Sequence, residues 1–291
     1  YELLYAGKLT LIYGKKGVTP AKARLLVSSH IDTVYTHCFC EETDTHWKGT
    51  FDNSATNTAL LQLMLENKIG DHVLIAFTGD EEIESRGAQE VKRWCSQQTW
   101  HPSAIIVLDV TNEGWDDSVS FSIENDRGFD LLTAYQIISS IQESELPCVF
   151  LHDALPDETW IYGEKQNPED RSYPCLSLCL PVGGDMHSNT GCWLRKGEVD
   201  EYLKILSRLI RLPMLRLVVS YQVVLTHHMF QLTLPTKRHL QLVLTLVKSI
   251  TKFLGLKNFQ RKSVLNTIQR LSAVKNFGVQ FQRFSTIWIS L

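Results

Sequence analysis

Three short apolar runs rich in β-branched residues, at 24–29, 72–78 and 104–108, pass directly into side chains able to hold a metal or move a proton: His30, then Asp80-Glu81-Glu82, then Asp109. Runs of this length bounded by polar clusters read as buried strands. Reactive side chains at the carboxyl ends of successive strands are the pattern of an open α/β sheet, whose loops gather at one working edge. A fourth run, 176–182, ends in Gly183-Gly184 and leads to His187. Helical stretches lie between the strands. Residues 55–68 carry Leu60, Leu61, Met64 and Leu65 as one stripe, with Asn53 or Ser54 placed to cap the start. Residues 87–97, 129–141 and 198–212 read as three more helices, the last stopped by Pro213. Strands alternating with helices predict a three-layer α/β/α sandwich on a mostly parallel mixed sheet. Residues 1–14 resemble a hairpin or edge strand that begins abruptly, so further N-terminal structure is expected.

The charge is distributed unevenly. All 32 Asp and Glu lie at or before Glu201, whereas 14 of the 29 Lys and Arg lie beyond it. Acidic residues make up roughly one in eight of an ordinary sequence, so their absence from the last 90 positions is a compositional break. It predicts an acidic domain over residues 1–213 and a basic, apolar tail over 214–291. Three readings of the tail stand: a helical module whose basic face meets a membrane or nucleic acid, a dimer-forming amphipathic structure, or sequence that is not native to the rest of the chain. The last is favoured, because the domain reads as complete at the helix ending near Leu212. The longest apolar stretch in the tail, 240–247, is far shorter than the roughly 20 residues that span a bilayer. Seven cysteines without paired CxxC spacing read as mostly reduced and buried, the alternative being a partial disulfide set in a secreted protein. The cytoplasm is the expected location; a start at Tyr1 rather than Met leaves a lost leader open.

The polar motifs are Ser29-His30-Ile31-Asp32-Thr33-Val34, Gly49-Thr50-Phe51-Asp52-Asn53, Thr78-Gly79-Asp80-Glu81-Glu82 and Gly183-Gly184-Asp185-Met186-His187-Ser188, with Leu108-Asp109 before the last. Singly they are ordinary. A lone His at a strand end usually satisfies a local hydrogen bond, and adjacent glutamates usually open a solvated helix. Together they form a donor set. Zinc takes imidazole and carboxylate ligands, and a zinc pair about 3.5 to 4 Å apart needs one carboxylate bridging both ions. Asp52 is the natural bridge. Asp32, two residues beyond His30 in an extended segment, points the same way and is placed to orient the His30 ring.

His-x-Asp, Asp-Asn, Glu-Glu, Asp and His in this order resemble the clan of co-catalytic zinc exopeptidases that includes the leucyl aminopeptidase, glutamate carboxypeptidase and aminoacylase families. The resemblance covers residues 24–212. It implies one zinc held by His30, Asp52 and Asp109, a second held by Asp52, Glu82 and His187, and Glu81 as the general base, with Co2+ or Mn2+ as substitute metals. The activity it implies is hydrolysis of a peptide or amide bond at a chain end, on a peptide or acyl-amino-acid substrate. A deacylase of N-acyl amino acids, a catalytically inactive binding relative and a glutaminyl-cyclase-like transferase are the alternatives.

Spacing separates the families of the clan. The intervals are 22 residues from His30 to Asp52, 29 on to Glu81, 27 from Glu82 to Asp109 and 78 from Asp109 to His187. None accommodates the lid or dimerisation domain that some members insert, so the spacing resembles the lid-less aminopeptidases, although His30-Ile31-Asp32-Thr33-Val34 reads like the lid-bearing families. Tyr162 and Tyr173 are candidates to steady a tetrahedral oxyanion. Glu113, Asp116 and Asp117 could receive a substrate ammonium, and Arg127 and Arg171 a terminal carboxylate. No nucleic-acid partner is expected for the domain, and a homodimer is compatible with it.

Overall fold

A computed structural model of the chain describes residues 1–152, 154–165 and 170–212, apart from the side chains of Leu131 and Leu132. These residues fall within one compact unit, Tyr1–Val218. The basic tail expected at 214–291, helical or non-native, lies outside the described residues.

The chain opens with a hairpin of β1 (Glu2–Ala6) and β2 (Thr10–Gly14), and a 3-10 turn at Pro20–Lys22 leads to β3 (Leu25–His30). Two short strands, β4 (Cys40–Glu42) and β5 (His46–Gly49), precede α1 (Ser54–Leu65). Next come β6 (Val73–Thr78), α2 (Arg86–Ser96), β7 (Ala104–Thr111), β8 (Phe121–Arg127) and α3 (Leu131–Gln142). They are followed by β9 (Cys148–Leu151), α4 (Glu158–Gly163), β10 (Cys175–Pro181), β11 (Gly183–Gly184), β12 (Cys192–Arg195) and α5 (Glu198–Leu209).

Eight strands form the main sheet in the order β1-β2-β6-β3-β7-β10-β8-β9. Its centre, β6-β3-β7-β10, is parallel throughout, while β2 against β6 and β8 against β10 are antiparallel. The three layers follow from strand periodicity. Leu25 and Val27 of β3, Val73 and Ile75 of β6, and Ile106 and Leu108 of β7 face α1, α3 and α5 in one core. The alternate residues Leu26, Leu74, Ala76, Ile105 and Val107 pack with α2 and Tyr162 of α4 in a second core on the other face. Both faces of the central strands are covered, which is why their sequence is continuously apolar.

The helix boundaries differ from expectation by one to three residues at the ends, α5 stopping at Leu209 rather than 212. A larger difference concerns α1. Its buried face is Ala55, Thr56, Ala59, Leu60 and Leu63, while Leu61 and Leu65 of the expected stripe are exposed. Small residues let α1 lie close to α5 and the sheet, so the larger leucines mark the wrong side. The Asn53 side chain makes no cap either: its Nδ2 donates to Ser29 Oγ (3.2 Å) and to the Leu108 carbonyl (2.8 Å). All seven cysteines are free; Cys95, Cys175, Cys179 and Cys192 are buried, Cys38 and Cys40 are exposed. Among the described residues no helix is long and apolar enough to cross a membrane.

Candidate metal centre

Three neighbouring parallel strands, β6, β3 and β7, carry site residues at or near their carboxyl ends. His30 is the last residue of β3, and Thr78 opposite it closes β6 before the 79–85 loop that carries Glu81 and Glu82. Asp109 lies inside β7, in register with Cys179 of β10, and not beyond the strand as the shorter run suggested. Asp52 and His187 arrive by a separate device. A small antiparallel sheet, β11-β12-β5-β4, pairs Cys192 with both Gly49 and Gly184. It ties the turn carrying Asp52 to the loop carrying His187.

The result is a compact donor cluster. His30 Nε2 lies 3.1 Å from Asp52 Oδ1 and 3.2 Å from Asp109 Oδ1, and His187 Nε2 lies 3.3 Å from Asp52 Oδ2 and 3.9 Å from Glu82 Oε2. The two oxygens of Asp52 therefore face two different imidazoles. Donor atoms of His30, Asp52 and Asp109, and those of Asp52, Glu82 and His187, lie within 4.8 Å of one another; His30, Glu81 and Glu82 do so as well. Asp32 backs His30, with its carbonyl 3.2 Å and its Oδ1 3.6 Å from Nδ1, while its Oδ2 accepts the Glu82 backbone N–H at 3.3 Å. His30 and Asp52 are buried; His187 is exposed.

The cluster's hydrogen bonding is incomplete in a way that a cation would complete. Asp32 Oδ1, Asp52 Oδ1 and Glu82 Oε1 are buried without a hydrogen-bond donor. One imidazole nitrogen sits near two carboxylate oxygens and can donate to only one, which leaves Asp52 Oδ1 unserved. Buried carboxylates without donors are expensive unless paired or coordinated. Imidazole and carboxylate donors in two triads with a shared aspartate suit zinc, and the residues present therefore fit a metal pair.

The electrostatics tell the same story. Burial pushes Glu81 up to about 8, helped by the charge of Asp109. Burial likewise raises Asp109 to about 6 and lifts Glu82, which also feels Asp52. The Asp52 carboxylate draws His187 up to about 8. For His30 burial acts downward, yet the carboxylates of Asp109, Asp32 and Asp52 outweigh it and the ring is held well above its ordinary value. So many carboxylates in one buried space resist joint ionisation unless positive charge is supplied.

The loop after β6 is conformationally unusual. Asp80, Glu84 and Ser85 adopt positive φ (54°, 65° and 49°), a region that costs non-glycine residues roughly 1 to 2 kcal/mol each. Such outliers persist where surrounding structure enforces them. Here Gly87 N donates to the Gly79 carbonyl (2.9 Å) and Arg86 N to the Asp80 carbonyl (3.1 Å), drawing the start of α2 against the loop.

Several expected residues lie elsewhere. Tyr162 and Tyr173 are fully buried in the core on the α2 side, Tyr162 bonded to Ser28 Oγ at 2.8 Å, so the oxyanion role expected for them is corrected. Asp116 binds Ser118, Asp117 pairs with His46 at 3.0 Å, and Arg127 stacks on Trp160 and pairs with Glu164. Glu113 Oε1 accepts the Leu155 N–H at 3.2 Å. Other residues escaped the sequence reading. Asn57 Nδ2 donates to the carbonyls of His30 (2.7 Å) and Asn53 (2.8 Å), holding both ligand-bearing segments, and the Tyr35 hydroxyl donates to the Met186 carbonyl beside His187. Asn57 stands one helical turn after Asn53, a spacing that could have marked it.

The fold is the mixed, mostly parallel α/β sandwich that the resemblance to the co-catalytic zinc exopeptidase clan implies. Residues 11–145 match the model of Peptidase family M28. No curated protein sequence matches the chain. Among solved structures, aminopeptidase APDkam598 from the archaeon Desulfurococcus kamchatkensis is similar with a TM-score of 0.55 and 11% identity, over 75% of this chain and 89% of that one. A zinc aminopeptidase from Bacillus subtilis gives 0.47 and 10%, over 69% of this chain and 48% of that one. A TET aminopeptidase from a marine-sediment Thaumarchaeota archaeon gives 0.46 and 16%, over 60% and 52%. This chain thus spans about half the length of the last two, and at these identities the likeness is one of fold.

Proposed function

We propose that the chain hydrolyses a peptide or amide bond at the end of its substrate, as a two-zinc exopeptidase. The observation that carries this reading is Asp52, whose two oxygens face His30 and His187 separately. One zinc would be held by His30, Asp52 and Asp109, the other by Asp52, Glu82 and His187, with Co2+ or Mn2+ as substitutes. Bound zinc supplies the positive charge that polarises the scissile carbonyl and acidifies the attacking water. Glu81 takes the proton of that water and passes it to the leaving nitrogen. Its Oε1 accepts the Ser85 hydroxyl at 3.4 Å; burial favours its protonated form, and the charge of bound zinc would keep it ionised until it takes the proton. Asp32 keeps the His30 ring and the Glu82 backbone in place. The seven free thiols fit a reducing compartment, and the cytoplasm is the proposed location.

The test measures zinc per chain, then release of amino acids from aminoacyl, dipeptide and N-acyl-amino-acid substrates with and without chelator. Two zinc ions and chelator-sensitive hydrolysis are expected. A folded chain that binds no metal rejects the reading, and turnover of acylated substrates alone makes it a deacylase.

A further inference from the structure

Behind the donor cluster lies a carboxylate with no assigned part in the chemistry. Glu158, the first residue of α4, is 1% exposed. Its Oε2 accepts the Ser28 hydroxyl at 2.6 Å and its Oε1 the Thr78 hydroxyl at 2.5 Å, and Ser28 Oγ also meets the Tyr162 hydroxyl at 2.8 Å. The placement of the two donors matters. Ser28 stands two residues before His30 on the same strand face, and Thr78 is the residue paired with His30 across the β3–β6 ladder. Thr78 is also the last strand residue before the loop bearing Glu81 and Glu82. One side chain therefore fastens the two strand ends from which three of the cluster's residues hang. An apolar residue would fill the same buried space without contacting either hydroxyl, and a fold requiring only packing would have no use for a buried acid there.

We propose that Glu158 is a positioning residue of the metal centre, its carboxylate clasping Ser28 and Thr78 so that His30 and the Glu81-Glu82 loop keep the spacing two metal ions require. This rests on the two-zinc reading above. Ligand supports of this kind typically change metal affinity by about 10- to 100-fold when removed. Glutamine can keep the clasp, because its carbonyl accepts one hydroxyl and its amide donates to the other.

The full chain is compared as wild type, Glu158→Gln, Glu158→Leu and Ser28→Ala, with folding checked by circular dichroism. Zinc affinity is read by competition with a chromophoric chelator, and kcat is separated from KM on the best substrate of the panel. Glu158→Leu is expected to bind zinc at least about tenfold more weakly and to lose kcat with KM little changed. Glu158→Gln should stay within about threefold of wild type, and Ser28→Ala, which removes one arm and leaves the acid, should fall between. Should Glu158→Leu not fold, the order wild type, Gln, Ser28→Ala decides. The proposal is overturned if folded Leu or Ser28→Ala variants match wild type within twofold, or if Gln is as impaired as Leu, which would make charge and not the clasp responsible. A wild-type chain that binds no zinc rejects the peptidase reading and this inference with it; normal wild-type binding with unmoved variants rejects only the role of Glu158.

Discussion

Glu81 and Glu82 are adjacent, yet their surroundings separate them. Glu82 Oε2 points toward His187 at 3.9 Å and its backbone N–H is held by Asp32, the posture of a ligand. Burial pushes Glu81 up to about 8, and its Oε1 accepts the Ser85 hydroxyl. Glu81→Gln preserves shape and removes the basic oxygen. It is expected to retain zinc while turnover falls by about 10²- to 10⁴-fold, the usual contribution of a positioned acid–base group. Metal analysis beside single-turnover hydrolysis checks this. Loss of metal in that variant would mean that the two glutamates have exchanged roles.

The elements that carry these side chains were unequally legible. The strands β3, β6, β7 and β10 are buried on both faces and so read directly as apolar runs; His30, Asp52, Glu81, Glu82, Asp109 and His187 stood out as donor-type residues in the motifs around them, and their division into two metal sites and a base came from the family resemblance. β8 was missed because its sequence, Phe-Ser-Ile-Glu-Asn-Asp-Arg, mixes a buried start with a charged end. β4, β5 and β12 were missed because runs of three or four residues are too short to carry a periodic signal. Ser28, Thr78 and Glu158 meet across 80 to 130 residues of chain, a contact that only the fold creates.

Two element-level predictions follow from contacts of that kind. A Cβ at Gly87 would sit 2.6 Å from the Gly79 carbonyl oxygen and 2.7 Å from its nitrogen, so α2 approaches the Glu81-Glu82 loop closely only because Gly87 is bare. Gly87→Ala should cost about 1 to 3 kcal/mol in urea unfolding and also weaken zinc binding, since the strain falls on the loop. Unaltered zinc affinity would show that α2 does not set the loop. At α5, Glu198 is buried with Oε2 accepting the Arg195 N–H at 3.0 Å, and burial pushes it up to about 8. A folded value above the unfolded one stabilises fully below about pH 4.5, and that stabilisation is lost as pH rises toward 8, by up to roughly 1.4 kcal/mol per pH unit. Glu198→Gln keeps the contact without the titration. Chelated wild type should therefore lose stability relative to this variant between pH 5.5 and 8.5; parallel profiles would reject the assignment.

For the whole chain the open question is the basic stretch. Among the described residues, α5 and the residue after it close one of the two cores with Tyr202, Ile205, Leu206, Leu209 and Ile210, all fully buried. The end of α5 is also tied to the sheet, since His72 Nε2 lies 2.9 Å from the Ile210 carbonyl. These contacts define where a domain can be cut. Removing residues 213–291 takes away eleven Lys and Arg and no acid, shifting the formal charge from -3 to -14, a direction that favours solubility. A chain ending at Leu212 is expected to stay soluble, to bind as much zinc as the full chain and to unfold within about 2 °C of it, the shift that a few tenths of a kcal/mol produces in a domain of this size. A chain ending at Gly197 loses α5 and uncovers part of the core that α1 and α3 share with it, and it should fail to fold. If the Leu212 chain aggregates or loses its metal while the full chain does not, the basic stretch is part of the folded unit, and the domain boundary proposed from charge is wrong.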